Sequence, residues 1–334
     1  MLSGQENRFI RFMGNAAQSL IPLFVKGEER LSAPYRWRVD FRSSLTPSAT
    51  AAFLGKELAF QIGDGKKSRL VQGIVTALDE HTDVEGAPLY TATLEPRLAL
   101  LDLSSNLAVF QNISVPDLVC QILRRNDINH IELRLHASYQ PRDYCIQYRE
   151  SDFGFINRLL ESEGIYYFFS HQADRHTLIL ADHSSGHHAA PVPVMPWLPV
   201  AGKGEGEGVE TWTGHATLTA AAVELRAFSM EQAESVLGES QCNSSDRSVK
   251  GVNFADAHGF SQRDQLKSAA RLKMEQLESG TQRAEAQLKA WWLTCGERFS
   301  LDAHLSNDGA YNISSLMLQA TSNFDGDRLD YQCH

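Results

Sequence analysis

No stretch of this chain approaches eighteen consecutive apolar residues, so the sequence offers no membrane-spanning helix. Its opening, MLSGQENRFIRFMGN, lacks both an apolar h-region and a small-residue cleavage site, so export is expected to follow a route without a cleaved signal. Positive charge is scarce. With 31 Lys and Arg against 41 Asp and Glu, the formal net charge is −10. That balance argues against nucleic acid as a partner, because phosphate binding requires a basic stripe. The one cationic cluster, Lys66, Lys67 and Arg69, adjoins Gly63-Asp64-Gly65 and reads as a solvated hairpin turn. Five cysteines (Cys120, Cys145, Cys242, Cys295 and Cys333) are far apart and form no CxxC pair. They read as reduced thiols, which excludes a disulfide framework and a zinc site. Cys120 falls in an expected helix and Cys145 in an expected strand, both as core filler.

Catalytic signatures are equally scarce. There is no G-x-S-x-G elbow, no Walker A loop and no G-x-G-x-x-G after a strand. Gly202, Gly204, Gly206 and Gly208 alternate with Lys203, Glu205 and Glu207, whose acids would repel a phosphate, so this stretch reads as a linker. The best metal candidate is the tract from Asp182 through His183, His187 and His188. Adjacent His187 and His188 seldom share one ion, so the tract is expected to be a polar surface loop. Glu150, Asp152, Glu161 and Glu163 could be paired for glycoside hydrolysis, but Glu161 and Glu163 are two apart on a helix and point in different directions. Asp152 is expected to support a helix start, and Glu161 to face solvent or a neighbouring subunit. No catalytic residue, cofactor site or metal ligand is predicted, and the chain does not read as an enzyme.

The 334 residues are too many for one ordinary core, and the composition, 43% hydrophobic and 22% charged, is that of a globular protein of two or three domains. The first hundred residues read as a β-meander. Tyr35, Trp37, Val39 and Phe41 alternate with Arg36, Arg38, Asp40 and Arg42, a period of two with aromatics on one face. Further strands are expected near 20–26, 57–62, 69–79 and 88–100, with turns at Gly63 to Gly65 and Asp83 to Pro88. A helix is predicted over 115–125, opened by a capping box of Ser114 and Asp117 with Pro116 in the first turn. Residues 182–208, rich in Pro and Gly, are expected to form a long exposed connection. Strands follow at 209–219, 222–228, 291–294, 299–301 and 315–320, with an amphipathic helix over 258–279.

The run from 144 to 169, YCIQYRESDFGFINRLLESEGIYYFF, is the most informative segment. Tyr144, Ile146 and Tyr148 alternate as a half-buried strand does. Ser151 is a good N-cap, with Asp152 in the first turn, where the helix dipole favours an anion. Phe153, Ile156, Leu159 and Leu160 make one apolar stripe. Gly164 falls where a helix stop needs positive φ, and Ile165 to Phe169 resume as a strand covered on both faces.

The same run resembles the signature of the VgrG spike proteins of type VI secretion, and is similar to the tail hub (late control D) proteins of contractile phages. The residues that carry the resemblance are Tyr148-Arg149-Glu150-Ser151-Asp152 with Phe153, then Arg158-Leu159-Leu160-Glu161, then Glu163-Gly164-Ile165-Tyr166-Tyr167. Motif-level likeness is confined to 108–182; elsewhere it is one of pattern and order. The resemblance implies a mainly β fold with a few helices: two related β-barrels and a smaller α/β domain. The first barrel is expected over 1–105, completed by 209–235. The second, over 106–200, would carry the signature and be completed by 296–334, leaving 240–295 as the helix-containing domain. The implied function is structural: a homotrimeric spike base that adapts a hexameric Hcp-like tube to a needle. A contractile-phage baseplate hub is the alternative, and a cell-wall glycan hydrolase or metal-binding effector is less favoured. Further implied partners are baseplate proteins and a PAAR-type tip on a needle expected beyond His334. The expected location is the bacterial cytoplasm during assembly, followed by injection, with no stable membrane insertion by this segment.

Overall fold

The computed structural model describes residues 8–63, 67–82, 88–198, 207–229, 233–243, 248–256, 263–304, 306–322 and 331–333. Lys66, the 83–87 turn, most of the 202–208 linker and the expected helix start at 258–262 lie outside the described residues. Six strands open the chain: β1 (Ile10–Phe12), β2 (Leu20–Arg30), β3 (Arg36–Ser43), β4 (Glu57–Ile62), β5 (Arg69–Thr82) and β6 (Pro88–Glu95). A short helix, α1 (Pro47–Ala51), follows β3, and the side chain of its N-cap Thr46 accepts from the Ala49 N–H at 3.3 Å. The predicted alternation in β3 holds: Tyr35, Trp37, Val39 and Phe41 are buried, while Arg36 and Arg38 are exposed. Phe41 stacks on Tyr90 and meets Phe12 edge-on, each at 5.6 Å between centroids. Trp37 lies over Gly27 so closely that a Cβ there would come within 2.3 Å of the ring, so only glycine fits.

The middle of the chain comprises β7 (Ser105–Phe110), α2 (Val115–Arg125), β8 (Ile131–Arg134), β9 (Cys145–Ser151), α3 (Asp152–Ser162), β10 (Tyr166–His171), β11 (His176–Ala181) and β12 (His188–Pro196). α2 starts as predicted, with the Asp117 N–H donating to Ser114 Oγ at 3.3 Å and the Ser114 hydroxyl donating to the Asp117 carboxylate at 2.5 Å. Its Leu118, Val119, Ile122 and Leu123 are buried, as is Cys120. β10 and β11 form an antiparallel hairpin. β12 corrects the sequence expectation, because the Pro-rich stretch read as an exposed connection is a strand, parallel to Glu297–Asp302. It tolerates Pro191, Pro193 and Pro196 because it lies on a sheet edge and its register breaks between Ala189 and Val194.

The remaining elements are β13 (Val209–Ala216), β14 (Thr219–Ser229), β15 (Glu234–Gln241), β16 (Ser248–Asp256), α4 (Arg263–Ser279), β17 (Gln282–Leu288), β18 (Glu297–Asp302), β19 (Gly309–Asn312), β20 (Ser315–Thr321) and β21 (Tyr331–Cys333). The largest sheet, barrel-like, has the order β1–β4–β5–β6–β3–β2–β20–β21–β17–β13. Smaller sheets are β10–β11–β8, β12–β18–β19, β15–β14–β16 and the ribbon β7–β9. Trp291 to Thr294, expected as a strand, form a turn in which Trp291, Trp292 and Leu293 are buried. Their hydrophobicity fits a packed loop as well as a strand. The first sheet takes β20 beside β2, pairing Phe24 with Thr321 through Arg30 with Ser315. The sequence reading had drawn the completing strands from 209–235; of that stretch, β13 stands at the far end of the sheet and β14 pairs elsewhere.

The chain divides into two compact units. One comprises Met1–Glu161, Ile165–Thr211 and Gln287–His334; the other comprises Ser162–Gly164 and Trp212–Ala286. In the smaller unit, β14 pairs antiparallel with β15 and parallel with β16. α4 closes its core, packing Leu266, Ala270 and Met274 with Val223, Leu225, Ala227 and Val236. The period of 3.6 read in α4 is therefore that of a helix covering a sheet.

Candidate functional site

The signature run folds as the sequence dictates, with one inversion. Ser151 caps α3, its Oγ accepting from the Gly154 N–H at 3.0 Å and donating to Asp102 at 2.7 Å. Asp152 is buried and accepts from Gln147 (2.8 Å), Arg125 (3.0 Å) and Asn126 (3.1 Å). Burial alone would raise its pKa, but these hydrogen bonds together hold the carboxyl below its ordinary range. Asp152 thus ties β9 and the C-terminus of α2 to the start of α3. Leu159 and Leu160 are buried in the core. Gly164 takes φ +70°, and the Ile165 N–H reaches the Leu160 carbonyl at 2.9 Å, the six-to-one bond of a glycine helix stop.

Beyond the stop, Ile165, Tyr167, Phe168 and Phe169 are buried. Tyr166 is half-buried and donates its hydroxyl to the His183 carbonyl at 2.8 Å. The Tyr167 carbonyl accepts from the Ser32 N–H at 2.8 Å, joining this hairpin to the turn after β2.

The inversion lies in β9. The period of two is real, but Tyr144, Ile146 and Tyr148 point outward, while Cys145 and Gln147 are buried. A polar Gln takes the inner face because its amide is needed by the Asp152 carboxylate, a demand invisible to hydrophobic periodicity. On β7, Leu107 and Val109 are exposed as well, and they pair with Tyr148 and Ile146. Arg149 takes φ +51° at the register break opposite Asn106 and Leu107. This bulge sets its guanidinium 5.3 Å from the centre of the Tyr148 ring. Glu150 pairs with Arg158 at 2.5 Å on the far side of the bulge, and Phe153 lines an open groove with Leu103 and Asp102.

The histidine tract folds as structure. Asp182 accepts from the backbone of His136 and Ala137 and from the Tyr139 hydroxyl, all within 2.9 Å. Ser185 Oγ lies 2.9 Å from both His136 Nε2 and His183 Nδ1. His187 Nδ1 donates to the Gly296 carbonyl at 3.0 Å, whereas His188 lies 3.5 Å from Glu297. The neighbouring imidazoles therefore serve different partners. Among the described residues no three His, Cys, Asp or Glu side chains gather as a metal site.

A buried polar cluster was missed by sequence reasoning. Glu29 and Arg69 form an ion pair with almost no exposure. Glu29 also accepts from Trp37 Nε1 at 3.2 Å and the Cys295 N–H at 3.1 Å, while Arg69 donates to the Leu293 carbonyl and lies over the Trp37 ring. Burial pushes the Glu29 pKa up, but the neighbouring Arg69 charge and the donated hydrogen bonds outweigh it and hold the carboxyl below its usual value. Beside it, Gln72 donates its backbone N–H to His171 Nδ1 at 3.2 Å and accepts at its side chain from His176 Nδ1 at 2.5 Å. The sign left in the sequence is charge on strands otherwise buried: Glu29 in β2, Arg69 at the start of β5.

The β7–β9 ribbon and the groove lined by Phe153, Leu103 and Asp102 thus face outward from this β framework. A profile of the family described as phage tail baseplate hub (GPD) matches residues 28–324, and the chain belongs to that family. Among curated relatives, the type VI secretion system spike protein VgrG1b of Pseudomonas aeruginosa is 28% identical over 316 residues, covering 92% of this chain and 42% of the relative. The spike protein VgrG3 of Vibrio cholerae is 29% identical over 321 residues, 91% of this chain and 31% of that protein. The chain therefore spans less than half the length of these relatives. In fold it is similar to the E. coli c3393 protein, described as a type VI secretion component that resembles T4 tail proteins gp27 and gp5. That match has a TM-score of 0.70 at 20% identity, over 97% of this chain and 75% of the other.

Proposed function

We propose that this chain is the hub portion of a contractile injection machine's spike, a structural part that carries no catalytic step. The observation behind this reading is the hub-family match, which runs through both units from 28 to 324. Three copies, each contributing two barrel-type modules, form a ring that offers near-sixfold contacts to a hexameric tube protein of the Hcp class. The opposite side of the ring stays threefold and continues into a needle with a PAAR-type tip. Heterologous contacts of this kind close only when the rotation between copies closes. The type VI setting is favoured by the spike-protein relatives, and with it assembly in the bacterial cytoplasm followed by injection. Within the reading, the signature residues from Tyr148 to Tyr167 hold the second module together and present its outer ribbon.

Mixing the purified chain with hexameric tube protein and measuring the mass of the complex tests the proposal. Three chains per hexamer are expected. No complex, or one chain per tube subunit, would overturn the adapter role.

A further inference from the structure

We propose that the free edge of β5 is a docking site for a basic, extended segment of a different protein, which adds to it as a further strand. β5 is 14 residues long, but β4 pairs only with its first part, from Arg69 opposite Ile62 to Ile74 opposite Glu57. The last bonds on that side are made at Val75, whose carbonyl accepts from the Gly55 N–H at 2.8 Å and whose N–H donates to the Lys56 carbonyl at 2.9 Å. The register then shifts at a bulge between Val75 and Ala77, and only β6 continues, from Thr93 opposite Ala77 to Pro88 opposite Thr82. Among the described residues, no strand or backbone partner stands on the other side of Ala77 to Thr82. About half of the backbone N–H and C=O groups of such an edge point away from its one neighbour. The free stretch is about 20 Å long, the length of an ordinary strand, and Ala77, Asp79, Glu80, His81 and Thr82 are exposed on it.

Charge selects the occupant. From Leu70 to Pro96 the sequence holds no Lys or Arg and five carboxylates: Asp79, Glu80, Asp83, Glu85 and Glu95. Glu95 is engaged by Arg36 at 2.9 Å, at the far end of β6. Asp79 and Glu80 stand on the free stretch itself, and no cation pairs with them among the described residues. Successive strand residues point to opposite faces, so one carboxylate lies on each side of the edge. A second copy is disfavoured here, because two such edges side by side would set carboxylate against carboxylate. Phosphate-bearing partners are repelled for the same reason. A strand with two adjacent cations meets both demands. Its main chain takes up the open hydrogen bonds, and its side chains reach one carboxylate on each face.

The probe is a short synthetic peptide of Thr and Val with two adjacent lysines at its centre, added to the full chain. Binding is read by fluorescence anisotropy of the labelled peptide and by hydrogen exchange of the backbone amides over 76–82. The expected result is a Kd below about 1 mM with slowed exchange on that stretch, weakened at least about tenfold by Asp79→Asn with Glu80→Gln. Both side chains are exposed, so the variant should keep the wild-type melting temperature; should it unfold, Glu80→Gln alone takes its place. A second peptide, N-methylated along its centre, keeps the lysines but cannot donate to the edge, and should also bind at least about tenfold more weakly. Equal binding of the methylated peptide overturns strand addition, because charge alone then accounts for the contact. Equal binding by the variant, no protection over 76–82, or no binding at about 1 mM overturns the site. Each of these failures leaves the hub reading standing, since that reading is tested by the stoichiometry of the tube complex and does not depend on this edge.

Discussion

Replacing Glu29 by Gln keeps the shape of the side chain and removes its charge, leaving Arg69 cationic in a site where it is almost wholly buried. Breaking a buried pair in this one-sided way costs about 3–5 kcal/mol, because the remaining charge keeps its desolvation penalty and loses its counterion. The cost should stand near the upper figure here. The same carboxylate also accepts from the Trp37 indole and the Cys295 amide, and an amide oxygen serves them less well. For a unit of this size, that loss corresponds to a fall in melting temperature of roughly 10 °C. The assay is urea and thermal unfolding followed by tryptophan fluorescence, since Trp37, Trp291 and Trp292 are buried close to the cluster. Glu29→Leu combined with Arg69→Met should be much less harmful than Glu29→Gln alone, because both charges leave together. A Glu29→Gln loss below about 1 kcal/mol, or a double variant worse than the single one, would refute the claim that Arg69 needs this partner.

Other outcomes can be checked with the same instruments. Asp152→Ala should cost about 2–3 kcal/mol, more than the roughly 1 kcal/mol expected for Ser151→Ala, since three donors lose a buried carboxylate and the cap loses one bond; urea midpoints of the two variants decide the order. Gly27→Ala should destabilise by at least about 1–3 kcal/mol, because its Cβ would enter the Trp37 ring, and near-ultraviolet circular dichroism should report the displaced indole. Burial lowers the pKa of His171 to about 4 and of His176 to about 3, from an ordinary 6.5. Both are neutral in the fold and more readily protonated when unfolded, so stability is unaffected above about pH 6.5 and falls as the pH drops toward 4. The loss should reach about 2 kcal/mol per histidine at pH 5, and His176→Gln should flatten that slope in urea titrations at pH 7, 6 and 5.

Much of this architecture was legible because local patterns and tertiary demands agree. The alternation of Tyr35 to Phe41, the capping box of Ser114 and Asp117, and the Ser151 start and Gly164 stop of α3 all appear where side-chain chemistry placed them. Legibility failed where a distant partner decides the outcome. Pro191 and Pro193 looked like a loop, because only the parallel neighbour Glu297–Asp302 makes their stretch an edge strand. Tyr148 looked like an inward residue, because the demand of Asp152 for Gln147 lies five residues away and is polar. The Glu29–Arg69 cluster joins residues 40 apart to a backbone amide at 295, a coincidence no window of sequence contains.

The pairing of β2 with β20 has a consequence for how the protein is made. Residues 24–30 wait for partners at 315–321, so the ribosome must deliver nearly three hundred more residues before that seam can close. The smaller unit is drawn almost wholly from 212–286 and is complete well before then. During synthesis the inserted unit can therefore fold while the first sheet still has β2 as an open edge. Closing a loop of that length is a late and slow event, as expected of non-local β topology. An exposed β2 is the nascent chain's main aggregation hazard. Chains truncated before residue 315 should accordingly precipitate or engage chaperones, while the full chain seals the hazard with its own late strand.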